Sequence, residues 1–206
     1  MPEAPRTLTE RIYTARGFSK ASLAPLKVLH LGCGTTKITD ATGIDSLALA
    51  GVDVVHNLEV TPWPFAANTF DVIVAHAVLE HLQPFIPVMN EIHRVGKHGA
   101  RAVVCVPYFR SRDAFNDPTH AHFFTSSTMD FVLGGESGLA EYRYTDKLFR
   151  RVGFWYGWPQ QSKSYLTRLF KRFIYTHQRF YDQYLSLLFP MRILLWEIEV
   201  VKGSEF

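Results

Sequence analysis

Apolar runs of strand length alternate along the chain with segments of helical period, and that order predicts a largely parallel sheet with helices on its faces. Lys27 to Leu31 (KVLHL) is the first clear strand. Thr42 to Asp45 and Val52 to Val55 are short successors, and Phe70 to Ala75 (FDVIVA) is a stronger one. A helix is predicted over Phe85 to Val95, then a fifth strand over Ala100 to Val106 (ARAVVCV), stopped by Pro107. Ahead of these, Thr7 to Gly17 reads as a short amphipathic helix closed by its glycine. Behind them, Tyr108 to Phe124 is too polar and turn-rich for a core and is read as a loop. Thr125 to Leu133 reads as a capped helix, Asp146 to Arg151 as a helical turn and Val152 to Tyr156 as a strand. Ser162 to Leu188 has helical period, and Ile193 to Val201 closes the pattern as a last strand.

With 206 residues, the chain suits one domain with a real core and is short for two. The expectation is a single domain over 1–206, with 27–107 as its core, 108–190 as a loop and helical cap, and 203–206 (Gly-Ser-Glu-Phe) resembling a cloning scar. Apolar residues at 47% and charged residues at 20% exclude disordered and fibrous classes. Cys33 and Cys105 lie in strand-like apolar runs and no secretory pattern opens the chain, so a cytoplasmic home is expected. The longest apolar stretch, Tyr184 to Trp196, is broken by Pro190 and Arg192, so no membrane span is expected. The net charge of +3 is uneven: Lys147, Arg150, Arg151, Lys163, Arg168, Lys171, Arg172, Arg179 and Arg192 share their stretch with the acid Asp182.

Four clusters carry chemistry. Leu29-His30-Leu31-Gly32-Cys33-Gly34 runs a strand into a glycine turn, where the missing Cβ lets the backbone bend and approach a ligand. In Gly43-Ile44-Asp45-Ser46 an acid ends the next strand, placed either to accept from both hydroxyls of a ribose or to cap the following turn. His56-Asn57-Leu58-Glu59 precedes Thr61-Pro62-Trp63-Pro64-Phe65 and Asn68-Thr69-Phe70-Asp71-Val72-Ile73. Finally come Ala75-His76-Ala77-Val78-Leu79-Glu80-His81-Leu82 and Glu91-Ile92-His93-Arg94-Val95-Gly96-Lys97-His98-Gly99.

These ordered motifs, spanning about Lys27 to Pro107, resemble the small bacterial class I S-adenosylmethionine-dependent methyltransferases of the type 11 kind. The resemblance implies a Rossmann-like fold with a seven-stranded, mostly parallel sheet and, here, a helical aromatic and basic insertion before the last strand. It implies S-adenosyl-L-methionine as cofactor, with Gly32, Cys33, Gly34, Asp45, Ser46, Asn57, Leu58 and His76 around it, Asn57-Leu58 standing at the adenine position. His30 departs from the acid frequent before the first glycine, Thr36 from a third glycine, and His98 from the proline of a P-G-G turn.

In-line methyl transfer to oxygen needs positioning and removal of the acceptor's proton. The candidates lie in the loop after Pro107, where Asp117-Pro118-Thr119-His120 resembles a segment of glycan-linked sugar O-methyltransferases. His120 is a candidate base with Asp117 holding its tautomer, and His81 is a further candidate near the acceptor. Equally, Asp117, His120 and His122 are read as ligands of magnesium or another divalent ion. A third reading leaves the loop a structural turn. The leading acceptor is a hydroxyl of a small molecule or oligosaccharide, such as a sugar or polysaccharide precursor. The rivals are an RNA methyltransferase using the basic C-terminal third, although no nucleic-acid module appears, and a non-catalytic cofactor-binding partner. The aromatic stripe with Trp155, Tyr165, Phe173, Phe180 and Tyr184 reads as core, as a homodimer surface or as a cap that stacks on sugar rings.

Overall fold

The computed structural model describes residues 7–14, 17–18, 22–134, 142, 144–158 and 165–203. Its elements in chain order are α1 (Leu8–Ile12), β1 (Tyr13–Thr14), β2 (Gly17–Phe18), β3 (Val28–Leu31), β4 (Thr42–Asp45), β5 (Val54–Val55) and β6 (Phe70–His76). There follow α2 (Phe85–Val95), β7 (Gly96–Pro107), α3 (Asp113–Asn116), β8 (Phe149–Tyr156), α4 (Tyr165–Thr176), α5 (Gln178–Phe180) and β9 (Ile193–Val200). Seven strands form one sheet in the order β5-β4-β3-β6-β7-β9-β8. Neighbours from β5 to β7 run parallel, and β9 is inserted antiparallel between β7 and β8. The expected seven-stranded, mostly parallel sheet is therefore present, with α4 and α5 inserted before its last strand.

The two faces of the sheet are covered differently. On one, α2 carries Val88, Met89, Ile92 and Val95 onto Leu29, Leu31, Ile73 and Val104, and all eight are buried. On the other, Ile12, Tyr13 and Leu23 from the N-terminal segment cover Val28, Val72, Val74, Val103 and Cys105. Glu197 of β9 fastens this cover: its Oε2 accepts from the Thr9 hydroxyl at 2.8 Å and the Thr9 N–H at 3.1 Å. No helix separates β3 from β4, so residues 32–41 form only a turn-rich loop.

Several expected elements are corrected. The helix over Thr7 to Gly17 stops at Ile12, and the chain turns into the β1–β2 hairpin. Thr125 to Leu133 is no full helix but a 3-10 turn over Thr128–Phe131. The helical turn over Asp146 to Arg151 is overturned at Phe149, where β8 begins; Arg150 and Arg151 point to Glu199 and Asp130. Of Ser162 to Leu188, residues 162–164 lie outside the described residues, as do Lys163 and 204–206 of the presumed scar. The remainder divides into α4, α5 and a turn of π-helix over Tyr181–Leu185. The aromatic stripe also divides: Ile174 and Tyr181 are buried, whereas Tyr165, Leu166, Phe173, Phe180 and Tyr184 are exposed. The basic third is less bare than its sequence: Arg151 and Arg179 approach Asp130, and Arg192 pairs with Asp113 at 2.7 Å. No described helix is long and apolar enough to cross a membrane.

Candidate functional site

β3 delivers the chain into the glycine turn, where Gly32 (φ +54°) and Gly34 (φ +48°) take left-handed conformations. Both angles favour glycine, which pays no Cβ penalty there. Gly32 also has a packing reason, because a Cβ there would stand 2.5 Å from a Val78 methyl; at Gly34 it would meet open space. We therefore expect Gly34→Ala to cost about 1 kcal/mol through φ and Gly32→Ala about twice that, because Val78 must also move. Thermal melts of the two variants check this, and equal losses would remove the Val78 contact from the account.

Asp45 ends β4 and ties that turn down. Its Oδ2 accepts from the Gly34 N–H at 2.9 Å and its Oδ1 from the Leu47 N–H at 3.0 Å. The carboxylate keeps further lone pairs, since an ionised carboxylate offers about four acceptor sites. Asp53, which the sequence did not single out, accepts from Gly43 N–H at 2.6 Å and pairs with Lys37 at 2.7 Å; these contacts hold its carboxyl below the ordinary carboxylate range. Gly43 is needed because a Cβ there would meet the buried Cys33 Sγ at 2.6 Å. Ser46 is exposed. Asn57 is exposed and uses its Oδ1 to accept from Glu59 N–H, while Leu58 is buried and its carbonyl accepts from the Trp63 indole at 2.9 Å. The E-x-x-R pair of α2 is structural: Glu91 accepts from Trp63 N–H at 2.7 Å, and Arg94 donates to Glu91 and to the Trp63 and Phe65 carbonyls.

At the end of β6, His76 meets residues that sequence spacing could not bring to it. Tyr13 Oη lies 2.9 Å from His76 Nδ1, and the Tyr13 and Phe18 rings lie against the imidazole. Burial holds His76 below its ordinary pKa and pushes the Tyr13 phenol up, so the phenol keeps its proton. His30, 1% exposed, accepts at Nδ1 from Ile38 N–H at 3.3 Å, and its pKa falls to about 4, chiefly through burial and then through His76. Ala77 follows in a left-handed conformation (φ +51°), a strain that turns the chain sharply away from the strand.

The next turn, Leu79–His81, carries Glu80 and His81, and the 108–124 loop is docked on it. The Glu80 carbonyl accepts from Ala121 N–H at 2.7 Å and His122 N–H at 3.1 Å. That docking brings His120 to 4.7 Å from His81, centroid to centroid. His120 Nδ1 lies 2.9 Å from the Ala114 carbonyl, which can only accept, so Nδ1 carries the proton and Nε2 is free. Thr119 donates its hydroxyl to Asp117 Oδ1 at 2.6 Å, so His81 Nδ1, 2.8 Å from that hydroxyl oxygen, is a donor too. Glu80 is 1% exposed and its Oε2 has no hydrogen-bond partner. Burial raises its carboxyl to about 7. His81 is lowered by burial and by His120.

Of the expected acceptor-side residues, the fold thus gathers His81 and His120 and adds Glu80. It does not place Asp117 and His122 with them as a ligand set. Asp117 is taken by Thr119, whose hydroxyl and N–H lower its pKa, and His122 Nε2 lies 3.1 Å from the Gln83 carbonyl. His122 instead lines a cavity of about 340 Å³ with Phe85, Phe123, Phe124, Thr128, Phe131 and Tyr144.

Comparison with known proteins agrees with this architecture. Residues 49–104 match the family model described as a methyltransferase domain. No curated protein sequence matches the chain. Among solved structures, the YcgJ protein of Bacillus subtilis is similar at 16% identity, covering 86% of this chain and 93% of its own, with a TM-score of 0.52. An S-adenosylmethionine-dependent methyltransferase of Archaeoglobus fulgidus is similar at 16% identity over 84% of this chain and 85% of its own, TM-score 0.52. So is the [4+2]-cyclase SpnF, at 15% identity over 86% and 75%, TM-score 0.52. The fold is the Rossmann-like fold of the class I methyltransferases, and residues 49–104 match the methyltransferase-domain model.

Proposed function

We propose that this protein is an S-adenosylmethionine-dependent O-methyltransferase acting on a hydroxyl of a sugar or polysaccharide precursor. The observation that carries the reading is the glycine turn after β3 tied to an acid that ends β4 and has lone pairs to spare, while the turn after β6 carries His81 against His120. Asp45, already holding Gly34 and Leu47, keeps acceptor capacity for ribose hydroxyls. Val78, which leads into the Glu80–His81 turn, packs against Gly32 of the glycine turn, and this contact supports an acceptor side adjoining the cofactor. There the hydroxyl's proton must leave as its oxygen attacks the methyl carbon and the C–S bond breaks. The aromatic cavity beside His122 suits the apolar face of a pyranose ring. A second cavity of about 350 Å³ is lined by Arg110, Arg112, Asp113 and Arg192, of which Asp113 pairs with Arg192, and its two other guanidiniums suit an anionic carrier such as a phosphate.

The test is calorimetric titration of S-adenosylmethionine and S-adenosylhomocysteine into the wild type, Asp45→Ala and Asp45→Asn. The wild type is expected to bind in the micromolar range, and Asp45→Ala to lose about a hundredfold or more, as two hydrogen bonds to a charged group are worth. Asp45→Asn keeps one accepting oxygen, enough for Gly34 N–H but not for Leu47 N–H as well, so its thermal melt beside that of Asp45→Ala shows how much of the loss in binding is loss of the turn. No binding to the wild type would end the reading. An acceptor screen with mono- and oligosaccharides and their phosphates follows, with RNA included; steep weakening with salt for RNA alone would replace the sugar.

A further inference from the structure

We propose that Glu80, His81 and His120 form a binding site for a divalent transition-metal ion, with coordination positions left for the acceptor. One ligand atom from each residue lies within 4.8 Å of the other two. Ligands about 2.1 Å from a common ion stand about 3.4 Å apart in a tetrahedron, so a modest contraction of three side chains closes the set.

Two independent features favour an ion over a chance cluster. Both imidazoles are oriented from behind, as metal-bound histidines are. His120 Nδ1 is fixed by the Ala114 carbonyl at 2.9 Å, and His81 Nδ1 by Thr119, itself fixed by Asp117. Each is thereby held in the tautomer whose Nε2 lone pair is free. The third ligand is a side chain with 1% of its surface exposed and a carboxylate oxygen left without a partner. A buried carboxylate oxygen with no donor is costly, and a cation removes that cost.

The donor set chooses the ion. Two imidazoles and one carboxylate suit zinc, iron(II), cobalt, nickel or manganese, whereas magnesium and calcium prefer all-oxygen shells. Three protein ligands leave at least one position open. Resting on the methyltransferase reading, that position takes the acceptor hydroxyl. The ion lowers the hydroxyl's pKa, its proton passes to water, and the bound oxygen attacks the sulfonium methyl, releasing S-adenosylhomocysteine.

The test uses chelator-treated full-length protein without cofactor or acceptor. Zinc is titrated calorimetrically, and cobalt(II) is followed by its visible d–d absorption. We expect one ion per chain, at least tenfold weaker binding in Glu80→Gln, His81→Gln and His120→Gln, and unchanged binding in His122→Gln. His81 and His120 are only partly buried, so their variants keep the fold, which circular dichroism verifies. Absence of the cobalt band in the wild type, or binding that survives both His81→Gln and His120→Gln, overturns the site. S-adenosylhomocysteine titrated in parallel reports on the cofactor reading alone, so failure of either is seen separately.

Discussion

Replacing Asp182 by alanine is expected to destabilise the protein by about 4 kcal/mol, more than any other single truncation considered above. The side chain sits on the π-helical turn after α5 and accepts four hydrogen bonds in a buried setting. Tyr108 and Tyr156 donate their hydroxyls to Oδ1 at 2.8 and 2.7 Å, and Ser126 donates its N–H and hydroxyl to Oδ2 at 3.0 and 2.7 Å. Burial first, and then the carboxylate itself, push both phenols well above the ordinary tyrosine range, so both remain donors. Alanine leaves these donors in the core without partners, each costing about 1–3 kcal/mol where no water enters. Because Tyr108 opens the 108–124 loop and Tyr156 ends β8, the loss is expected to loosen that loop and α4 together. Urea unfolding measures the first effect, and proteolysis between 108 and 190 the second. Tyr108→Phe and Tyr156→Phe, which each remove one donor, are expected to cost far less than Asp182→Ala; equal costs would mean that the carboxylate is not the hub.

The strands and the long helix were legible because each is specified locally. FDVIVA is a short, almost continuous apolar run preceded by turn residues, and Phe85–Val95 keeps a helical period with its apolar side on the sheet, so β6 and α2 lie where the pattern put them. Failures fall where a partner element decides. Phe149-Arg150-Arg151 looks helical and charged, yet it is an edge strand whose arginines reach Glu199 and Asp130, acids that sequence distance hid. Thr7 to Gly17 carries helical period but ends early, since Tyr13 and Phe18 are drawn to His76 and the sheet.

The site shows the same division. Gly32, Gly34 and Asp45 are adjacent in space because two neighbouring parallel strands end there, which strand order alone implies. The acceptor side depends instead on where a loop lands. Asp117 resembled a ligand, but its neighbour Thr119 claims it first, a local hydrogen bond that short polar residues make readily. Glu80 drew no role from its motif, because a missing hydrogen-bond partner cannot be read from sequence; only the docking of Ala121 and His122 on its carbonyl shows that His120 comes to it.

Acid is expected to act on this molecule through His30, the residue that stands where an acid is frequent. Its ordinary pKa of 6.5 falls to about 4 in the folded chain, first through burial, then through His76 and Lys37, with Asp45 opposing. Because the folded value lies below the unfolded one, the unfolded chain binds the extra proton between them. The stabilisation is complete above about pH 6.5 and is lost as pH falls toward 4, amounting to about 3 kcal/mol at about 1.4 kcal/mol per decade. His76, also lowered, adds to the loss, whereas Glu80, raised to about 7, works oppositely, its contribution vanishing as pH rises through that value. The wild-type profile alone therefore mixes signs, and a difference is needed. His30→Asn keeps an acceptor near the Nδ1 position for Ile38 N–H but cannot take a proton. Subtracting its urea stability from that of the wild type cancels the groups not coupled to His30 and leaves a constant packing offset plus the His30 contribution, its coupling to His76 included. That difference is expected to be flat above pH 7 and to shift against the wild type by about 3 kcal/mol by pH 4. A difference that stays flat down to pH 4 would mean that His30 takes its proton inside the fold. Its contact with Phe18 would then have to open, and the cover over the His76 end of β6 would be looser than its packing implies.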